Sequence, residues 1–263
     1  MKPFFLLIWL VLSVSVNGAV NLYQTNGAST AARWGHCFTT LPTGFPFTIA
    51  GWVRPWVTNS SKDMFGFQCT TNSNARSTVR LAISGSWSIS AGDASGSGST
   101  TDPAQSKLGV WQHIAAVFIN PSNRVLYVDG VYVQGTTNGT ARNAVGVQDI
   151  FVIGGGRPIT TAINSSSPTA EISDVGIWSA QLTDEEIFSL ASVKSIPRME
   201  ALIDFWPLHQ QVPILATMGG LKGNIADFWH AAYTNQNTNG AWTTPGPIGL
   251  RGIEVPPVVV SPT

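Results

Sequence analysis

Gly109–Val133 reads G-V-W-Q-H-I-A-A-V-F-I-N-P-S-N-R-V-L-Y-V-D-G-V-Y-V. It contains two β-rich runs, and the second is broken by Asp129-Gly130. Asp-Gly between alternating apolar residues predicts a type I′ hairpin turn, because both central residues of that turn need φ > 0. Ala170–Ala191 reads A-E-I-S-D-V-G-I-W-S-A-Q-L-T-D-E-E-I-F-S-L-A. It predicts a strand over Ile172–Trp178, a short turn, and a helix over Thr183–Ala191. Thr183 stands three residues before Glu186, the spacing of a capping box.

Short strands continue on both sides. In Phe45–Trp56 (F-P-F-T-I-A-G-W-V-R-P-W), Phe47, Ile49, Gly51 and Val53 fall on one face, with Thr48, Ala50, Trp52 and Arg54 on the other. Pro55 ends that strand. Met64–Cys69, Val79–Ser84, Trp87–Ala91, Trp111–Ile119, Asp149–Gly156 and Leu202–Leu208 complete the set. Gly92–Gln105 and Arg157–Thr169 read as loops on composition. Strands at this spacing, with turn signals between them, mean an all-β sandwich or barrel.

Composition narrows the function classes. Charged residues make up 11% of the 263, hydrophobic ones 43%, and Lys+Arg balance Asp+Glu at 14 each. A neutral, sparsely charged chain offers no basic field for nucleic acid. Phe4–Val16 is a nearly unbroken apolar run behind Lys2, with Gly18 and Ala19 after it. It is too short to span a bilayer and fits a signal peptide over residues 1–19. Residues 20–245 then form one domain, and residues 246–263 a Pro/Val-rich tail. An exported chain could pair its two cysteines, Cys37 and Cys69, provided their Cα atoms lie within about 7 Å. Two free buried thiols are the alternative. Asn59, Asn138 and Asn164 begin N-x-Ser/Thr triplets.

Four blocks in order carry a resemblance: Phe47–Pro55 with Trp52-Val53-Arg54-Pro55; Trp111–Ala115 (W-Q-H-I-A); Leu126–Gly130 (L-Y-V-D-G); and Ile172–Trp178 with Leu182–Ile187 (L-T-D-E-E-I). The chain resembles the laminin-G-like, concanavalin A-like lectin-glucanase jelly-roll family over roughly Val20–Trp242. The resemblance implies two antiparallel sheets of six or seven strands each, packed face to face, with one short helix. It does not imply an activity, since function lives in the site.

A retaining glycosidase needs two carboxylates about 5–5.5 Å apart. The nearest candidates are Glu171 and Asp174, whose spacing puts them on opposite faces of a regular strand. No catalytic residues are assigned. No G-x-S-x-G, H-E-x-x-H or P-loop is present. His36, His113, His209 and His230 show no ligand spacing, and His113 reads as a hydrogen-bonded core residue. Many relatives bind Ca²⁺ at the sandwich rim. Asp93, Asp102 and Asp149 lie in or beside loops, yet no spacing singles them out as ligands.

The chain has ten tryptophans. Trp52, Trp111, Trp178 and Trp206 lie in motif strands and are expected in the core. Trp34, Trp56, Trp87, Trp229 and Trp242 lie at strand ends or in irregular segments. Of these, Trp56, Trp87 and Trp242 are the candidate platforms for a ligand. The expected function is therefore a secreted, non-catalytic module that binds a glycan or a protein surface. The alternative is a structural surface protein of a virion or an extracellular assembly.

Overall fold

The computed structural model describes residues 42–206 apart from 59–60, 70, 73, 138, 144, 155–167 and 193–194, together with 20–21, 35–38, 218–219 and 225–227. The expected signal peptide, Trp34, Trp229, Trp242, His209, His230, Asn59, Asn138, Asn164 and the tail lie outside the described residues.

The first strands are β1 (Val20–Asn21), β2 (Gly35–Phe38), β3 (Phe47–Pro55), β4 (Lys62–Gln68), β5 (Arg76–Leu81), β6 (Trp87–Asp93) and β7 (Gly96–Thr101). There follow β8 (Gln112–Asn120), β9 (Asn123–Val128), β10 (Val131–Thr136), β11 (Ile150–Ile153) and β12 (Ala170–Trp178). Helix α1 (Asp184–Ala191) precedes β13 (Leu202–Trp206), β14 (Met218–Gly219) and β15 (Ile225–Asp227). They form two antiparallel sheets of jelly-roll type. A seven-stranded sheet runs β1-β12-β3-β8-β9-β10, with β13 also on β12. An eight-stranded sheet runs β14-β15-β2-β11-β4-β5-β6-β7.

Alternation along β3 sends Phe47, Ile49 and Val53 into the core between the sheets. They meet Phe65, Phe67, Trp87, Ile114, Phe118, Phe151 and Trp206 there. Phe47 stacks on Phe118 at 4.6 Å between ring centroids, and Phe151 on Trp206 at 5.5 Å. The outer face of the seven-stranded sheet builds a second core. Ala50, Ala115, Val117, Tyr127 and Trp178 pack there against Leu182, Ile187, Leu190 and Phe205. Burying Ile187 and Leu190 is worth about 1.5–3 kcal/mol each, which holds this short helix in place.

The local predictions meet the structure at the turn and the helix. Asp129 and Gly130 have φ of 52° and 81°, between the paired residues Val128 and Val131. Thr183 caps α1: Glu186 N donates to Thr183 Oγ1, and Thr183 N donates to Glu186 Oε2.

Three expectations are corrected. Gly92–Gln105 is not a loop throughout, because Gly96–Thr101 is strand β7, paired with β6. Its small residues belong to an edge strand whose order comes from the ladder rather than from large side chains. The proposed bridge between Cys37 and Cys69 does not form. Strand β11 lies between β2 and β4, so their backbones stand about 9.6 Å apart, beyond disulfide reach. Cys69 is a buried free thiol, and its Sγ shares a hydrogen bond with Thr71 Oγ1 at 3.2 Å. Finally, β12 is not regular. A register shift between Ser173 and Gly176, with φ of 50° at Asp174, turns both Ile172 and Val175 into the core. Strict alternation thus fails at Asp174, and so does the argument that Glu171 and Asp174 must face opposite ways.

Candidate ligand-binding surface

Trp56 follows the end of β3 and is 40% exposed. Two backbone bonds fix its neighbourhood: Trp56 N donates to Thr169 O at 2.9 Å, and Gly109 N to Pro55 O at 2.7 Å. Gly109, at φ +71°, lies under the ring, and a Cβ there would sit 3.2 Å from Trp56 Cζ3. Arg54 stands on the outward face of β3. Its guanidinium lies 4.9 Å from the Trp56 ring centroid and 5.3 Å from that of Trp111. Arg54 Nε also donates to Glu171 Oε2 in an ion pair. One cation thereby joins two indoles and a carboxylate, which holds the Trp56 ring by cation–π attraction. Exposed Val57, Leu108 and Val110 extend the apolar rim around it.

The other named candidates fare differently. Trp87 is a correction: it is fully buried between the sheets, and its Nε1 donates to Gln112 Oε1 at 3.1 Å. Its register opposite Leu81 points it inward, so it offers no platform. Trp178 and Trp206 are buried as expected. Trp52 and Trp111 are half-buried, because they fall on the outward parity of β3 and just before β8. Among the described residues Trp111 Nε1 has no hydrogen-bond partner. His113 is buried beside Trp52, 5.5 Å between ring centroids. Its Nδ1 has no partner among the described residues. Burial pushes its pKa down from the usual 6.5 to about 3.

The rim acids Asp93, Asp102 and Asp149 stand well apart. Glu171 is buried against Arg54, and Asp174 Oδ2 accepts from Ser173 Oγ at 3.1 Å. Asp93 and Asp102 sit at opposite ends of the β6–β7 hairpin, roughly 20 Å apart at strand rise. Asp149 lies beside Gln68, about three strand spacings or roughly 14 Å from Asp93. Among the described residues no group of three His, Cys, Asp or Glu could hold a metal ion. No described helix is long and apolar enough to cross a membrane.

Comparison with known proteins accounts for this architecture. The family model described as the concanavalin A-like lectin/glucanases superfamily matches residues 16–188, well over half of the chain. The chain belongs to the concanavalin A-like lectin/glucanase superfamily. Among solved structures it is similar to a heptameric SAP-like pentraxin from Limulus polyphemus. That match has 18% identity and a TM-score of 0.57, and covers 84% of this chain and 98% of the pentraxin. It is also similar to a candidate carbohydrate-binding protein from Bacteroides ovatus, at 15% identity and a TM-score of 0.55. There it covers 81% of this chain and 58% of the other, so it spans little more than half of that protein. No curated protein matches the chain. At these identities the two structures establish the superfamily fold and leave the activity to the site.

Sequence reading missed Arg54 as a functional residue. Its place on the outward face of β3 was predictable, but its bridging of Trp56 and Trp111 depends on two loops meeting. Gly109 beside Trp56 is the one local sign of that close approach.

Proposed function

We propose that this chain is a non-catalytic, extracellular recognition module that takes a glycan on the Trp56 edge. One observation carries this reading: an exposed indole, held by the Arg54 guanidinium that also lies over Trp111, with apolar neighbours at its rim. A flat, rigid aromatic surface offers large contact area at low entropic cost, and the nearby charged groups supply polar partners. Superfamily membership and the Bacteroides ovatus neighbour support a binding role on this fold. The non-catalytic part is supported by Glu171, whose carboxylate is buried and paired with Arg54.

A glycan array read with the wild-type chain and with Trp56→Ala tests this. The wild type should bind a defined set of sugars, and the variant should lose at least tenfold in affinity while melting at the wild-type temperature. No glycan bound, or equal binding by Trp56→Ala, would overturn the proposal. Sugar hydrolysis abolished by Glu171→Gln would overturn the non-catalytic part.

A further inference from the structure

The end of the sandwich where β7 faces β9 and β10 lies far from Trp56. Gln112 and Phe118 mark the two ends of β8, roughly 20 Å apart. At the Phe118 end Arg124 points between the sheets, opposite Phe118 on β8 and Thr136 on β10, and is 4% exposed. Its Nε donates to Thr100 Oγ1 at 3.0 Å, and Thr100 Oγ1 is hydrogen-bonded to Thr136 Oγ1. Among the described residues its two terminal nitrogens have no acceptor and no carboxylate pairs with it.

A second guanidinium reaches the same place. Arg142 lies over Gly96, and a Cβ at Gly96 would sit 3.4 Å from its Nη2. Gly98, two residues along the same face of β7, would put a Cβ 3.1 Å from Arg124 Nη2. Asp93 is the acid here: Arg142 Nη1 approaches its Oδ1 at 3.3 Å and donates to Ser95 Oγ at 2.7 Å. Hydrogen bonds, first from the Ser95 hydroxyl and also from the Ser95 and Asn143 amides, hold the Asp93 carboxyl at about 2 and hence ionised. Asp93 compensates Arg142, and among the described residues the Arg124 charge has no carboxylate of its own. Burial, then the like charge of Arg142, push the Arg124 guanidinium below its usual range. A buried cation is costly unless it is paired.

We propose that Arg124 and Arg142 form a binding site for an oxyanion group, a sulfate, phosphate or carboxylate, seated between β7 and β9 at this end of the sandwich. The terminal nitrogens of Arg124 form a planar fork that suits two oxygens of such a group. Gly96 and Gly98 let the two guanidinium groups lie close against β7, where a side chain at either position would crowd them. The site is independent of the Trp56 surface, so either can stand if the other fails.

The test is calorimetric titration of the full chain with sodium sulfate, phosphate and acetate, ionic strength being held constant with chloride. At least one anion should bind saturably at one site per chain. Arg124→Gln and Arg142→Gln should each weaken that binding at least tenfold, while Trp56→Ala leaves it unchanged. Preference for sulfate or phosphate assigns a tetrahedral group, and preference for acetate assigns a carboxylate. Where Arg124→Gln does not fold, Arg142→Gln and Gly98→Ala carry the comparison. Arg142→Gln leaves Asp93 bonded to Ser95 and Asn143, and Gly98→Ala crowds Nη2. Unsaturable heats in the wild type, or variants that bind equally well, would overturn the proposal.

Discussion

Gly130→Val attacks the point where the two deciding sequence stretches touch. The β9–β10 turn packs against α1. A Cβ at Gly130 would lie 2.9 Å from Ala191 Cβ, 3.0 Å from Phe188 Cα and 3.2 Å from Phe188 Cδ2. Two penalties therefore combine. At φ +81° an L side chain costs about 1–2 kcal/mol, and a β-branched one sits at the upper end. Forcing new carbon atoms into a packed contact costs about 1–3 kcal/mol more. The sum, about 2–5 kcal/mol, is a large part of the roughly 5–15 kcal/mol that holds a domain folded. Urea melts followed by fluorescence of the buried tryptophans measure it. Gly130→Asn separates the penalties, because Asn tolerates the left-handed region but keeps the Cβ. It should lose about 1–3 kcal/mol, and recover part of that when Ala191→Gly removes the nearest contact. A loss below about 1 kcal/mol for Gly130→Val would refute both the turn type and its docking on the helix.

Trp178→Ala should destabilise by about 3–5 kcal/mol, since the indole is fully buried under α1 and its Nε1 bond to Pro197 O is lost. A denaturant-melt difference under 1 kcal/mol would remove Trp178 from the core. Below pH 6.5 the unfolded chain protonates His113 while the folded one resists down to about pH 3, so stability should fall as pH falls through that window. The slope from this group is about 1.4 kcal/mol per pH unit, and a His113→Gln variant that keeps the full slope would show that the ring is not its source. Thiol titration in denaturant without reductant should find two free cysteines per chain, and none would contradict the strand order that separates Cys37 from Cys69.

What the sequence made legible was local. Asp129-Gly130 needs no neighbour to demand positive φ, and Thr183 with Glu186 closes its capping box within one turn. Alternation in Phe47–Val53 sorts itself into two faces for the same reason. Strand β7 was hidden because Gly96–Thr101 carries no apolar alternation, and its strand character is lent by β6 across the ladder. The irregularity at Asp174 was hidden because a single extra residue leaves no mark on composition, yet it reverses every face assignment upstream of it.

Tryptophan burial shows where local reading ends. Trp87 stands just before a strand-like run, much as Trp56 stands just after one, yet one lies between the sheets and the other at the rim. The difference is which layer each strand faces, and that is fixed by pairings between segments far apart in the chain. The arginines follow the same logic more strongly. Arg124 lies in the hairpin stretch that decides the fold, where the alternation Arg124, Leu126, Val128 places it on the inward face. Read as a sequence, an inward arginine at a strand start is an anomaly without an explanation. It gains one only when β7 from the opposite sheet brings Gly96, Gly98 and Thr100 against it and the segment after β10 adds Arg142. A buried charge without a described counter-ion is thus the residue of the sequence that the fold alone does not account for, and a ligand is the economical way to account for it.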